Sequence, residues 1–389
     1  MNLLRVTKNE IDIAEYHHGG EQVARASESK MTDFSVNVNP LGLPEGVKSA
    51  IQNAIPDLER YPDQSCTRLR EKLAEKLRIS FGMTGKGHGL AVPFEHIICG
   101  NGASELISLV TNAISPKNAL LLVPTFSGYE KALKAARTKV QYHFLKAEAC
   151  FALDETIFDS IQKNKPDMIF LCSPNNPTGG LIEKPLLEQI AAQCDESGIF
   201  LVADECFLDF TEHANETMFR FVEENPHLVV LNAFTKIYAM AGIRLGYLAT
   251  SNLALLHKIN ALRPEWNVST LAQIAGEAAL DERSYIEETR TLIKQERDYL
   301  SKELKALGFR VFPSEANFIL FSTEVEKLGN FLQEREIFLR NCGNFTGLSE
   351  KFYRTAVRTH EENARLLKNL RAVVAKCATS QTDSEKFHN

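Results

Sequence analysis

Six short apolar runs recur between residues 96 and 249: His96–Cys99, Ala119–Val123, Met168–Cys172, Ile199–Asp204, Leu228–Ala233 and Leu245–Ala249. They are rich in Val, Ile and Leu and show no regular polar alternation. Strands buried on both faces have this composition, as in a mostly parallel sheet sandwiched between helices. The stretches 103–114, 127–137, 184–197 and 216–224 are predicted to be the covering helices. An α/β fold with a helix-covered sheet follows.

Beyond this block the pattern changes. Residues 253 to 304 read as helical and charged, Arg310–Phe312 and Asn317–Phe321 as strands, and Glu361–Lys376 as a closing helix. A chain of 389 residues exceeds one compact core. The expected division is an N-terminal arm (1–44) completing the small domain, a large domain (45–252), a smaller α+β domain (253–376) and a disordered polar tail (377–389). The net charge of −6 supplies no basic face for nucleic acid. No apolar run approaches the ~20 residues that span a bilayer. Met1-Asn-Leu-Leu-Arg5 lacks the apolar core of a secretory signal, so the cytoplasm is the expected location. The eight cysteines are far apart without a C-x-x-C, which favours buried thiols over a metal centre or a disulfide scaffold.

In an open parallel sheet, ligands collect beyond the carboxyl ends of the strands. The first run is followed by Gly100-Asn-Gly102-Ala103-Ser104-Glu105. Two glycines permit a tight turn, and the helix they open offers N–H groups to a phosphate. Glu105 stands where a dinucleotide fingerprint needs glycine, so that motif fails. The second run leads to Phe126, an aromatic able to cover a flat ring. The third leads to Ser173-Pro-Asn175-Asn176-Pro-Thr-Gly-Gly180, a rigid turn that does not by itself call for two adjacent asparagines. The fourth closes on Asp204, a partly desolvated carboxylate that needs a cationic partner. The fifth ends in Thr235-Lys236, with Arg244 eight residues on. Lysine is seldom buried; an imine to a cofactor aldehyde removes the cost of burying its charge. Taken singly, a turn, a core Phe, a solvated Asp and a surface Lys account for these residues. Their order and common location do not reduce to that.

The series of Gly loop, Asn-Pro-Thr-Gly, Asp, Lys and Arg resembles the fold-type I pyridoxal 5'-phosphate (PLP) enzymes of the aspartate aminotransferase superfamily, over roughly residues 15–375. Within it, the chain is similar to the histidinol-phosphate aminotransferases. It shares more segments with the threonine-phosphate decarboxylases of cobalamin biosynthesis. Those segments are His18-Gly19-Gly20, Asp33-Phe-Ser-x-Asn37-x-Asn-Pro-Leu-Gly42, Arg60-Tyr61-Pro-Asp63, Asp204-Glu-x-Phe207-x-Asp-Phe210, Leu339-Arg340-Asn-Cys342 and Tyr353-Arg354-x-Ala-Val-Arg358.

The resemblance implies that Lys236 binds the cofactor covalently and Asp204 pairs with its ring nitrogen. It implies that Asn176 bonds the ring oxygen, that Phe126 stacks, and that Gly102, Ala103, Ser104, Thr235 and Arg244 hold the phosphate. Arg354 would grip the substrate carboxylate, a task suited to the planar guanidinium fork. His18, Gly19, Asn37 and Arg340 would surround the substrate's distal phosphate, together with Asn176 near the ring. Tyr61 would reach in from a second subunit of a homodimer. Two departures are present. Phe207 stands where aminotransferases of this superfamily usually carry Tyr, which leans toward the decarboxylases, and Ala233 replaces a common hydroxyl.

The implied reaction is decarboxylation of O-phospho-L-threonine to aminopropanol phosphate, or of O-phospho-L-serine to ethanolamine phosphate. The two substrates differ by one methyl, worth roughly 1–3 kcal/mol in an apolar pocket. A histidinol-phosphate-type aminotransferase is the alternative within the superfamily. A non-catalytic nucleotide-binding α/β protein is the alternative outside it, and would not require Lys236, Asp204 and Asn176 together.

Overall fold

The computed structural model describes residues 31–80 and 92–386. Its strands are β1 (Thr32–Asp33), β2 (Ile97–Gly100), β3 (Asn118–Val123), β4 (Lys139–Phe144), β5 (Met168–Cys172), β6 (Phe200–Asp204), β7 (Leu228–Ala233), β8 (Gly246–Ala249), β9 (Arg310–Val311), β10 (Phe318–Ser322), β11 (Ile337–Phe338), β12 (Arg340–Asn341) and β13 (Phe352–Ala356). The helices that matter most for the site are α1 (Ala103–Ile114), α2 (Ser127–Ala135), α3 (Lys184–Glu196), α4 (Arg283–Ala306) and α5 (His360–Lys386).

Strands β2 to β8 form one seven-stranded sheet in the order β2-β8-β7-β6-β5-β3-β4. Its centre is parallel: β3, β5, β6 and β7 run together, with Cys172 opposite Asp204 and Asp204 opposite Leu231. Every residue of β5 and β7 is buried, as expected of strands covered on both faces. The edge strand β4 is one the apolar pattern missed. Its sequence, Lys-Val-Gln-Tyr-His-Phe, is mixed because the strand is only partly covered. The covering helices over 103–114, 127–137 and 184–197 form as α1, α2 and α3. The one expected over 216–224 does not. Short 3₁₀ turns, Ala214–Glu216 and Met218–Phe221, stand there instead. Buried Glu205 accepts from the Met218 N–H (2.6 Å) and the Thr217 hydroxyl, and draws the segment out of helical geometry. Burial pushes the Glu205 carboxyl up to about 8.

Strand β8 is antiparallel to both its neighbours, with Gly246 opposite Ala233 and Gly100. The segment joining β7 to β8 therefore leaves and re-enters the sheet at the same edge. That reversal returns Arg244 to the strand ends where Lys236 lies. It also packs backbone on backbone, because a Cβ at Gly246 would stand 2.9 Å from Ala103 N and Gly102 C.

A second sheet, β12-β13-β10-β9, is antiparallel throughout. Helices α4 and α5 are joined beside it by Asn363 Nδ2, which donates to Glu296 Oε2 at 2.8 Å. The arm strand β1 pairs in parallel with β11, and the Ala356 N–H donates to Phe34 O at 2.8 Å. Helix α5 runs to Lys386, through most of the stretch expected to be a disordered tail. Among the described cysteines, Cys150 is exposed and Cys66, Cys99, Cys172, Cys194, Cys206 and Cys342 are buried free thiols. No helix among the described residues is long and apolar enough to cross a membrane.

Gly246→Ala should lower stability by about 1–3 kcal/mol, the range for inserting a methyl into packed structure, and displace the start of α1. Gly242→Ala, where a Cβ meets nothing within 4 Å, should leave the thermal unfolding midpoint in place; equal midpoints for the two variants would contradict the close backbone approach.

Candidate active site

The carboxyl ends of β2, β3, β5, β6 and β7 converge on a cavity of about 320 Å³ closed from the other side by the small sheet. Its wall brings together Asn37, Ala103, Ser104, Phe126, Asn176, Asp204, Thr235, Lys236, Arg244, Arg340 and Arg354. Gly102 lies immediately beside it. Tyr61 does not line the cavity of its own chain; it is 78% exposed and stacks on Trp266 with ring centroids 4.6 Å apart. His18 and Gly19 lie outside the described residues.

The turn after β2 supplies an anion cradle. Gly102 has φ +83°, and a Cβ there would meet Arg244 Nη2 at 2.8 Å, so glycine is required twice over. Gly102 offers α1 no side-chain cap, which leaves the first N–H groups of the helix open to a ligand. Arg244 Nη2 reaches the same turn, donating to Asn101 O at 3.4 Å. Glu105 closes the turn from below, accepting from Asn101 N (2.6 Å) and Asn267 Nδ2 (2.8 Å).

Asp204 is 5% exposed. The Tyr129 hydroxyl donates to its Oδ2 at 2.6 Å, and the Cys206 N–H to its Oδ1 at 3.0 Å. Tyr129 is a site residue that sequence reasoning missed; its three-residue spacing from Phe126 across the start of α2 was the available signal. Burial, and then the nearby Asp204 charge, push the Tyr129 phenol well up, so it stays a donor. Its ring stacks on Phe170 (4.7 Å) and meets Phe126 edge-on (5.5 Å). Phe126 in turn needs Gly128, because a Cβ there would meet its ring at 2.2 Å.

The adjacent asparagines have separate tasks. Asn175 braces the loop: its Nδ2 donates to Pro124 O and Thr178 Oγ1, both at 2.9 Å, and its Oδ1 accepts from Thr125. Asn176 faces the cavity, and its Oδ1 accepts from Arg354 Nη1, which leaves Nδ2 as the donor for a ligand. Phe207, packed edge-on against Phe318 (5.0 Å), has no hydroxyl to add.

Lys236 sits in the single helical turn Phe234–Ile237 after β7. The arm holds that turn: Asn39 N donates to Lys236 O (3.1 Å), and Asn39 Nδ2 to Ile237 O and Thr289 Oγ1, both at 2.7 Å. Burial, with Arg354 and Arg244 adding repulsion, lowers the Lys236 ammonium to about 8. Arg354 is 7% exposed, and among the described residues no carboxylate pairs with it. Its Nη2 donates to Ser35 O at 2.8 Å and its Nε has no partner. Burial, with the nearby Arg340 charge adding, lowers it to about 10, so it remains a cation at neutral pH. Arg340 stands directly opposite it across the β12–β13 pair. The buried Oδ1 of Asn37, also in the wall, has no partner.

An amine of lowered basicity, a buried carboxylate, a flat aromatic and a glycine-lined anion cradle at opposite ends of one cavity suit a phosphorylated aromatic aldehyde. Gly102 and Gly128, which make room for Arg244 and Phe126, and the donor left on Asn176 fit such a group.

Comparison with known proteins agrees. The family model for class I and II aminotransferases matches residues 29–370. The threonine-phosphate decarboxylase of Salmonella typhimurium is 35% identical, over 92% of this chain and 96% of the relative. A histidinol-phosphate aminotransferase of Carboxydothermus hydrogenoformans is 33% identical, over 87% of this chain and 90% of the relative. The crystal structure of the histidinol-phosphate aminotransferase from Clostridium acetobutylicum superposes with a TM-score of 0.79 at 32% identity, covering 88% of this chain and 99% of that one. The chain belongs to the class I and II aminotransferase family, enzymes that work with pyridoxal 5'-phosphate.

Proposed function

We propose that this protein decarboxylates an O-phosphorylated amino acid, O-phospho-L-threonine, to aminopropanol phosphate and carbon dioxide, a reaction of cobamide biosynthesis. The observation that carries this reading is the pair Arg340 and Arg354. Like charges directly opposite on antiparallel strands destabilise a sheet, and here both guanidinium groups line the cavity while Arg354 has no acid partner among the described residues. A ligand with two anionic groups offsets that repulsion. Phe207 supports a decarboxylase over an aminotransferase, because the ring-oxygen donor usual in aminotransferases is absent, and the Salmonella relative bears the matching name. The histidinol-phosphate aminotransferase relatives favour a second reading, transamination at the same site.

Bound PLP supplies an electron sink for the pair of electrons left on Cα when a bond to it breaks. Asp204, fixed by Tyr129 and Cys206, holds a proton on the ring nitrogen. Gly102, Ala103, Ser104, Thr235 and Arg244 anchor the cofactor phosphate, Phe126 covers the ring face, and Asn176 donates to the ring oxygen. Arg354 binds the substrate carboxylate, while Arg340, Asn37 and the arm residues His18 and Gly19 bind the distal phosphate. Anchoring both ends fixes rotation about the Cα–N bond and so selects which bond breaks. The electrons of the Cα–carboxylate bond stay on Cα, carbon dioxide leaves, and Lys236 Nζ delivers a proton to Cα. We also propose a homodimer in the cytoplasm. Tyr61, Trp266, Ile55, Leu58 and Leu262 are exposed apolar residues that a second copy would cover, placing Tyr61 in the partner's site.

Product analysis tests the reaction. Carbon dioxide and a primary amine should appear in equal amounts from O-phospho-L-threonine, with O-phospho-L-serine run alongside; release of a 2-oxo acid instead would assign transamination. Arg354→Ala should weaken every substrate bearing an α-carboxylate by about 10²-fold, the scale of leaving a buried charge unpaired, whereas Arg340→Ala should do so only for phosphorylated ones. Steady-state kinetics on O-phospho-L-threonine and L-threonine decides between them. For Lys236, only the neutral amine attacks an aldehyde, and its pKa is lowered. In the cofactor-free protein, trapping of Lys236 by PLP and borohydride should therefore rise with pH to half its plateau near 8; a midpoint near the ordinary lysine value of ~10.4 would contradict its enclosure.

A further inference from the structure

The loop that follows Arg340 folds back on its guanidinium. Arg340 Nη2 donates to Asn344 Oδ1 at 2.9 Å, and its guanidinium carbon lies 5.4 Å from the centroid of the Phe345 ring. Phe345 is 6% exposed and lines the cavity. It belongs to a buried apolar cluster with Phe151, Phe312, Leu320 and Cys342. Phe151 follows β4 of the large sheet in the chain, so the cluster draws on both sheets. Backbone bonds set the loop as well: Gly343 N donates to Asn341 Oδ1 (2.8 Å), Phe345 N to Cys342 O (3.0 Å), and Cys342 N to Phe352 O at the start of β13 (2.8 Å).

A long arginine side chain loses rotamer freedom when it grips a ligand, unless something holds it in place beforehand. An aromatic face fixes the guanidinium plane while leaving its N–H edges free, and an amide oxygen on one of those edges fixes its rotation. We infer that Phe345, with Asn344, is a positioning residue that presets Arg340 for the second anionic group of the substrate. In doing so it sets the preference of this enzyme for phosphorylated over plain amino acids. The inference rests on Arg340 being the distal-anion contact proposed above.

The test uses the holoenzyme, titrated by visible absorbance with O-phospho-L-threonine and with L-threonine, followed by kinetics on the former. Phe345→Leu, which keeps apolar bulk but removes the ring face, should raise Kd and KM for O-phospho-L-threonine by about fivefold to tenfold, in line with a partly desolvated cation–π contact. Its kcat should change much less, and L-threonine binding should be unchanged. Phe345→Tyr, which keeps the face, should restore wild-type affinity. Asn344→Ala should show the same selectivity at about threefold, since one of several hydrogen bonds to the guanidinium is lost. Loss of both ligands alike in Phe345→Leu, loss of neither, or a Phe345→Tyr variant as weak as Phe345→Leu would overturn the inference. Arg340→Ala is the reference: if it does not discriminate between the two ligands, the assignment of Arg340 fails, and the fault lies there rather than with Phe345.

Discussion

The structure turns on an imbalance of charge inside one crevice. Lys236, Arg244, Arg340 and Arg354 all face a cavity to whose wall the described residues contribute one carboxylate, Asp204. Burying a cation without an acid is costly, and Arg354, 7% exposed and without a carboxylate partner among the described residues, carries that cost here. Lys236 responds by losing basicity, while Arg354 cannot lose its proton at neutral pH and among the described residues is met by the carbonyl oxygens Asn176 Oδ1 and Ser35 O and the face of Phe318.

Backbone geometry decides how these residues meet. The parallel centre of the large sheet delivers Asp204 and Lys236 to one edge, and the reversed strand β8 brings Arg244 back to it. Glycines at 102, 128 and 246 permit the close approaches that this requires. The arm then pins the Lys236 turn through Asn39, and Ser35 meets Arg354, so a segment with little secondary structure of its own connects both halves of the site.

All six expected strands and three of the four expected helices form in the large domain, the strands being legible because burial on both faces leaves an uninterrupted apolar signature. The sixth, over Leu245–Ala249, was legible as a strand but not in its direction, since hydrophobicity carries no polarity of the chain. Strand β4 escaped because an edge strand need not be apolar. The 216–224 segment misled because a buried acid distant in sequence, Glu205, competes for its N–H groups. At the site, Asp204 and Lys236 stood out as polar residues at the ends of apolar runs, Asn176 as one of two adjacent asparagines in a turn, and Arg244 by its place eight residues after Lys236. Tyr129, Asn39 and Phe345 did not: each acts through another residue, and nothing in a linear sequence records such contacts. The register that sets Arg340 opposite Arg354 was equally hidden.

That register has a mechanical corollary. Both guanidinium groups hang from adjacent strands of one sheet, whose spacing of about 5 Å is fixed by backbone hydrogen bonding. The Cα positions from which they start are therefore set by the small sheet, whereas the Arg354 guanidinium also reaches across the crevice to Asn176 Oδ1, on the loop that follows β5. Arg354 is thus a strut between the two halves of the molecule, and any parting of the sheets must first break its hydrogen bond to Asn176.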